Sequence, residues 1–87
     1  MPKVSSLGHI GLHVNDFPKM YDFYTRVLGF TVTDTFPPER EAVFLSAQPD
    51  TEHHELLLTS GRTAPEDAKL IQQLSMHVDS LSDLKAF

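Results

Sequence analysis

Between residues 6 and 14 the chain alternates. Ile10, Leu12 and Val14 fall on one face, with His9, Gly11 and His13 on the other. A period of two means a half-buried strand, so the two histidines point the same way. Asn15 and Asp16 end that strand and can cap a helix, and Pro18 suits a first helical turn. Met20, Phe23, Tyr24, Val27 and Leu28 then recur at helical spacing as one apolar stripe. Gly29 follows the stripe, where a left-handed C-terminal cap is expected.

From there the pattern returns to strands. Residues 30–36 (FTVTDTF) are β-branched and aromatic, Pro37 and Pro38 break the run, and residues 42–47 (AVFLSA) resume it. Residues 48–52 form a turn, and residues 54–59 (HELLLT) make a fourth strand. Residues 60–69 read as a loop, in which Thr63 and Glu66 are spaced as a capping box for a helical turn near Pro65. Residues 74–78 predict a fifth strand, and Ser80 can cap a helix presenting Leu81, Leu84 and Phe87. The predicted order is βαβββ, then βα.

The second βα echoes the first. Laid against itself so that Ile10 meets Leu74, the chain also pairs Leu12 with Met76, His13 with His77 and Val14 with Val78. In the same register Phe17 meets Leu81, Met20 meets Leu84, and Phe23 meets Phe87, while Asn15 and Asp79 mark the two strand-to-helix turns. This implies two copies of one supersecondary unit. The predicted class is α+β: a first βαβββ module over 1–60, a linker over 61–72, and the beginning of a second module over 73–87. One module alone leaves an apolar face and open strand edges. The expectation is therefore a missing C-terminal half, or a partner chain, a homodimer for instance, that completes the second module.

Composition narrows the chemistry. The formal net charge is −5 with no basic cluster, which argues against nucleic acid or an anionic membrane as partner. No apolar run is long enough to span a bilayer, and the N-terminus lacks a signal-peptide apolar core. The absence of cysteine removes disulfides, thiolate metal sites and thiol catalysis, and fits a cytoplasmic protein. No nucleophile elbow, phosphate loop, dinucleotide fingerprint or H-E-x-x-H is present. What stands out is histidine, five in 87 residues.

The stretches GHIGLHVND, FYTRVLGF, HELLLTSG and LSMHVDSL, in this order and spacing, resemble the vicinal oxygen chelate superfamily. That superfamily includes glyoxalase I, extradiol ring-cleaving dioxygenases, and the fosfomycin- and bleomycin-resistance proteins. The resemblance implies paired βαβββ units forming a cupped sheet around a divalent metal. Carried over by position, it implies His9 as the first-strand ligand, Glu55 as the fourth-strand ligand, and Gln73 where the second unit usually has histidine. Glutamine is a poorer ligand than imidazole for iron or zinc. The last glutamate of the family's set belongs to a strand outside this sequence.

The segment FLSAQPDTEHHELLL with QQLSMHVDSL is most similar to extradiol dioxygenases, in whose two-domain members the N-terminal domain has this fold without metal. The resemblance thus implies a metal-dependent, dioxygenase-like oxidoreductase cleaving a catecholic small molecule with O2, Fe(II) being the favoured metal and Zn, Ni, Mn or Mg possible. Its alternatives are a glyoxalase-type isomerase or lyase, in which Glu55 would also move the proton, and a non-catalytic small-molecule-binding module. His13 and His77 would line the pocket as acid–base or hydrogen-bonding groups.

Each of these residues has a plainer reading. A strand histidine such as His9 can be a hydrogen-bonded structural residue, His13 and His77 can be solvated, and Glu55 can be a surface carboxylate. As neighbours on a strand, His53 and His54 are expected to point to opposite faces.

Overall fold

The computed structural model describes residues 1–87. The first strand, β1 (Ile10–His13), leads into a helix, α1 (Phe17–Asp22). Asp16 caps it as expected, its Oδ1 accepting from the Lys19 amide at 3.1 Å, with Pro18 in the first turn. The helix does not stay α-helical. Over Phe23–Val27 it widens into a π-turn, with the Leu28 amide donating to the Phe23 carbonyl at 3.0 Å. The Thr25 hydroxyl donates back to the Tyr21 carbonyl at 2.8 Å, the type of side-chain bond that bends a helix.

The π-turn changes which residues meet the sheet. Tyr24 is buried and Met20 and Leu28 pack on the core, whereas Phe23 and Val27 each stay 40% exposed. The apolar stripe is therefore narrower than a uniform 3.6-residue period predicts. Gly29 then turns the chain with φ +77°, the left-handed cap its position calls for.

Three strands follow: β2 (Thr31–Thr35), β3 (Ala42–Ser46) and β4 (Leu56–Thr59). They form one mixed sheet in the order β1-β4-β3-β2. β2–β3 and β3–β4 are antiparallel, while β1 runs parallel to β4 with Ile10 opposite Leu56 and His13 opposite Thr59. A bulge interrupts β2 between Val32 and Asp34, and the hydroxyl of Thr33 there donates to the Phe44 carbonyl at 3.3 Å.

The core lies between the helix and one sheet face. Val43, Leu45, Leu56, Leu58 and Tyr24 are buried, with Ile10, Leu12, Val14, Val32, Phe17 and Phe30 around them. Only seven of the 87 residues are buried, so the module is stabilised by a thin core. By strand alternation His9, Gly11, Leu57 and Phe44 take the opposite, helix-free face.

The remainder differs from the expectation at several points. Residues 74–78 are in no strand ladder, and Leu74, Met76 and Val78 are about two-fifths exposed. A strand there needs a neighbour's backbone to pair with, and β1, which its sequence echoes, already occupies the β4 edge. Near Pro65 the structure has a single turn, the Ala68 amide donating to the Pro65 carbonyl at 3.1 Å. The last helix, α2 (Leu81–Ala86), forms with Ser80 as its cap, Oγ accepting from the Asp83 amide at 3.1 Å. Its apolar positions Leu81, Leu84 and Phe87 are all more than half exposed. The radius of gyration, 14.5 Å, exceeds the about 12 Å of a compact chain of this length, and residues 71–87 are exposed throughout. No helix is long and apolar enough to cross a membrane.

Candidate functional site

The helix-free face carries a ladder of π systems. Phe36 and Phe44 meet edge-to-face at 5.2 Å, and the Arg40 guanidinium sits 4.5 Å from the Phe36 ring centre. The imidazole of His54 stacks on Phe44 at 4.1 Å with planes 17° apart, and His9 lies against His54 at 4.3 Å. His53 completes the group, with ring centres 5.7 Å from Phe44 and 5.1 Å from His54.

This convergence corrects the expectation that His53 and His54 point apart. Alternation requires extended backbone, and β4 begins only at Leu56. Residues 53–55 form a bend instead, which turns both rings toward Phe44 and brings their Nδ1 atoms within 2.9 Å. Burial, then the proximity of His9 and His53, pushes the His54 pKa below the ordinary imidazole value, with Glu52 opposing. On its outer side His53 has the Asp34 carboxylate 4.0 Å from Nε2.

His9 and Glu55 stand beside each other across the β1–β4 edge, where the Ile10 amide donates to the Glu55 carbonyl at 3.1 Å. The Glu55 side chain is turned toward β3. Its Oε1 accepts from the Ala47 amide and its Oε2 from the Gln48 side-chain amide, both at 2.9 Å. Gln73 is exposed in the unpaired stretch before α2. No three His, Asp or Glu side chains come together in a way that could hold a metal ion. Within this module His9 and Glu55 have no third His, Asp or Glu beside them that completes such a group.

His13 closes the far end of β1. Its Nδ1 is 3.0 Å from the Ser60 carbonyl, an acceptor, so Nδ1 carries the proton and Nε2 is left as a base. It borders a groove of about 560 Å³ between α1 and the 62–71 segment, shared with Asp16, Lys19, Tyr24 and Arg62. His77 lies apart, beside Ala47 and Phe87 in a shallower depression. The aromatic ladder was missed from sequence. The signal available was the doublet His53-His54 next to a turn, with Phe36 and Phe44 in the preceding strands.

A family model described as Glyoxalase/Bleomycin resistance protein/Dioxygenase superfamily matches residues 6–87. Catechol-2,3-dioxygenase of Bacillus subtilis (strain 168) is 38% identical over 65 residues, covering 75% of this chain and 22% of that protein. Among solved structures, a variant of homoprotocatechuate 2,3-dioxygenase from B. fuscum is similar at TM-score 0.54 and 32% identity, covering 64% of this chain and 15% of that one. An integron cassette protein from the mobile metagenome of the Halifax Harbour sewage outfall matches at TM-score 0.62 and 23% identity, covering 95% of this chain and 65% of that one, a likeness of fold. The chain thus spans about a fifth of the length of its dioxygenase relative.

Proposed function

The chain belongs to the Glyoxalase/Bleomycin resistance protein/Dioxygenase superfamily, and on that premise we propose that it is one module of a dioxygenase-like protein that binds and cleaves a catecholic small molecule. The observation that carries this reading is the aromatic face. Phe44, His54, His9 and Phe36 present flat and edge-on π surfaces that suit a planar ring. Identity to catechol-2,3-dioxygenase over most of this chain supports the same substrate class.

This chain's own residues would bind and orient the ring. The stacked pair Phe44–His54 would meet the ring with its free edges and outer surface, and Arg40 adds positive charge at the rim. His13, with Nδ1 committed to Ser60, holds a free Nε2 suited to accepting a proton at the end of β1. His77 has the same register in the second unit and would serve the face that unit completes. A divalent metal, Fe(II) in the ring-cleaving case, would supply Lewis-acid chemistry in the assembled protein. His9 and Glu55 would be this module's contribution to its donors, and Gln73 the second module's. Because these residues do not form a donor set together, the remaining donors would come from the strands that complete the second module.

Those strands would come from further chain or from a second copy. The open apolar row Leu74, Met76, Val78, Leu81, Leu84 and Phe87 is the surface they would cover. The test is on the complete protein: metal content, and catechol-dependent O2 uptake after loading with Fe(II). Uptake at stoichiometric iron is expected. Its absence, with catechol still bound in metal-free protein and unaffected by His9→Ala, would leave the second reading, a binding module without catalysis. One observation favours that second reading: both Glu55 oxygens already accept hydrogen bonds.

A further inference from the structure

On the helix side of the sheet, away from the aromatic ladder, α1 and residues 62–71 border a groove of about 560 Å³. Its walls are mostly aliphatic, with Leu12, Val14 and Met20 from β1 and α1 and Leu70 and Ile71 from the facing segment. Leu70 and Ile71 are each more than half exposed, apolar surface that an occupant of the groove would cover.

Two polar side chains border this groove without a partner. Tyr24 is only 8% exposed. Its ring is fixed edge-on against Phe30 at 5.8 Å, and its backbone carbonyl accepts from the Phe30 amide at 2.9 Å, but its hydroxyl bonds to nothing in the chain. No fully enclosed polar side-chain atom lacks a partner, so that hydroxyl keeps an opening, and the groove is the space Tyr24 borders. The π-turn over Phe23–Val27 places it there, and such turns occur in helices at functional positions. Burial pushes the Tyr24 pKa above the ordinary tyrosine value, so the group stays an O–H donor at neutral pH. The second is Arg62, half-buried, with Nε donating to the Ala64 carbonyl at 3.1 Å and Nη2 to the Pro65 carbonyl at 2.6 Å. Those bonds fix the guanidinium, yet no carboxylate pairs with it, the chain's ion pairs being Arg26–Asp22 and His53–Asp34. Of the carboxylates bordering the groove, Asp16 caps α1 and Glu66 is exposed.

We propose that this groove binds a small organic carboxylate with an aliphatic body, its carboxylate held by the Tyr24 hydroxyl and the Arg62 guanidinium and its chain lying on the aliphatic walls. A buried O–H donor and a fixed, unpaired guanidinium are what an incoming carboxylate satisfies, and Lys19 adds a cation at the rim. The site stands apart from the catechol reading, since Phe36, Phe44, His53 and His54 do not border the groove.

The test is a titration of the complete protein with octanoate at neutral pH, followed by calorimetry and by NMR of labelled tyrosine rings, with octanol as the neutral probe of the same chain length. Octanoate should saturate at one equivalent and shift the ring resonances of Tyr24 but not those of Tyr21. Octanol should bind roughly tenfold more weakly or worse. Tyr24→Phe, which keeps the ring and its packing, and Arg62→Gln should each weaken octanoate binding by roughly tenfold. Catechol should not displace octanoate. The proposal fails if octanoate leaves Tyr24 unshifted, if octanol binds as tightly, or if both variants bind octanoate unchanged. Displacement by catechol also overturns it, because the two would then share one site. The comparison of octanoate with octanol on unaltered protein does not depend on any variant folding, nor on whether catechol binds at all.

Discussion

The imidazole of His54 lies flat on the ring of Phe44, centroids 4.1 Å apart and planes 17° from parallel. Phe44 is the middle of the sheet's open face, opposite Leu57 of β4 and Asp34 of β2. It is therefore the residue that holds the histidines of one sheet end against the aromatic side chains of the other.

Truncating it should be felt in two ways. Phe44→Ala should lower stability in urea by about 2 kcal/mol, roughly half the cost of emptying a fully buried Phe site, because the ring is only half-buried. On the proposed catechol reading it should also weaken catechol binding about tenfold, as loss of one aromatic contact of 1–1.5 kcal/mol implies. Phe44→Leu keeps apolar volume and should restore most of the stability but not the binding. If Leu restores both, the stack is packing and not recognition.

The thin core makes its central leucines decisive. Leu58, fully buried on β4, should cost roughly 2–5 kcal/mol when changed to Ala, enough to unfold much of a small module. Leu81, 65% exposed on α2, should cost under about 0.5 kcal/mol when changed to Ala in the isolated 87-residue chain. A much larger loss at Leu81 would show that α2 is covered by another chain or segment in solution.

At the end of β1, His13→Ala removes the bond to the Ser60 carbonyl and should cost about 1 kcal/mol. The loss should be local. Hydrogen exchange should accelerate at the Val14 amide, which donates to the Thr59 carbonyl at 2.8 Å, with little change in β3. Uniform acceleration across the sheet would mean that this bond supports the whole module.

Asp22 and Arg26 provide a pH signature on the helix. The Arg26 guanidinium holds both Asp22 oxygens, Nε to Oδ1 at 2.9 Å and Nη2 to Oδ2 at 2.8 Å, and that hydrogen bonding sets the Asp22 pKa below its ordinary value of 3.8. A carboxylate depressed in the folded state adds stability that is present above its unfolded pKa and is lost as pH falls through the folded one. Carboxyl NMR should therefore place Asp22 below 3.8, and Arg26→Ala or high salt should bring it back up. Both groups are exposed, so the effect on the melting temperature should be small.

How far the molecule is legible from its residues differs from one part to the next. The βαβββ order, the Asp16 and Ser80 caps and the Gly29 turn follow from local rules: a period of two, a period near 3.6, a short polar side chain facing free amides, and a residue without Cβ where φ is +77°. Each of these is decided within a few residues, so it can be read along the chain. The superfamily was legible for a related reason, since its residues keep fixed positions in that same order of elements.

Other features depend on residues far apart in sequence. That β1 joins β4 in parallel, and not its neighbour β2, is a matter of which backbone edges find each other. The period-two reading failed at His53 and His54 because the bend starts β4 two residues late, and only Phe44, on another strand, shows where the rings go. Glu55 faced the open side by alternation, yet its carboxylate is held by the Ala47 amide and the Gln48 side chain. Residues 74–78 have the composition of a strand, but composition provides no partner, and a strand exists only when another backbone takes up its hydrogen bonds. Propensity and capping are local free energies that the sequence determines by itself. Pairing and convergence are long-range, and only the assembled sheet decides them.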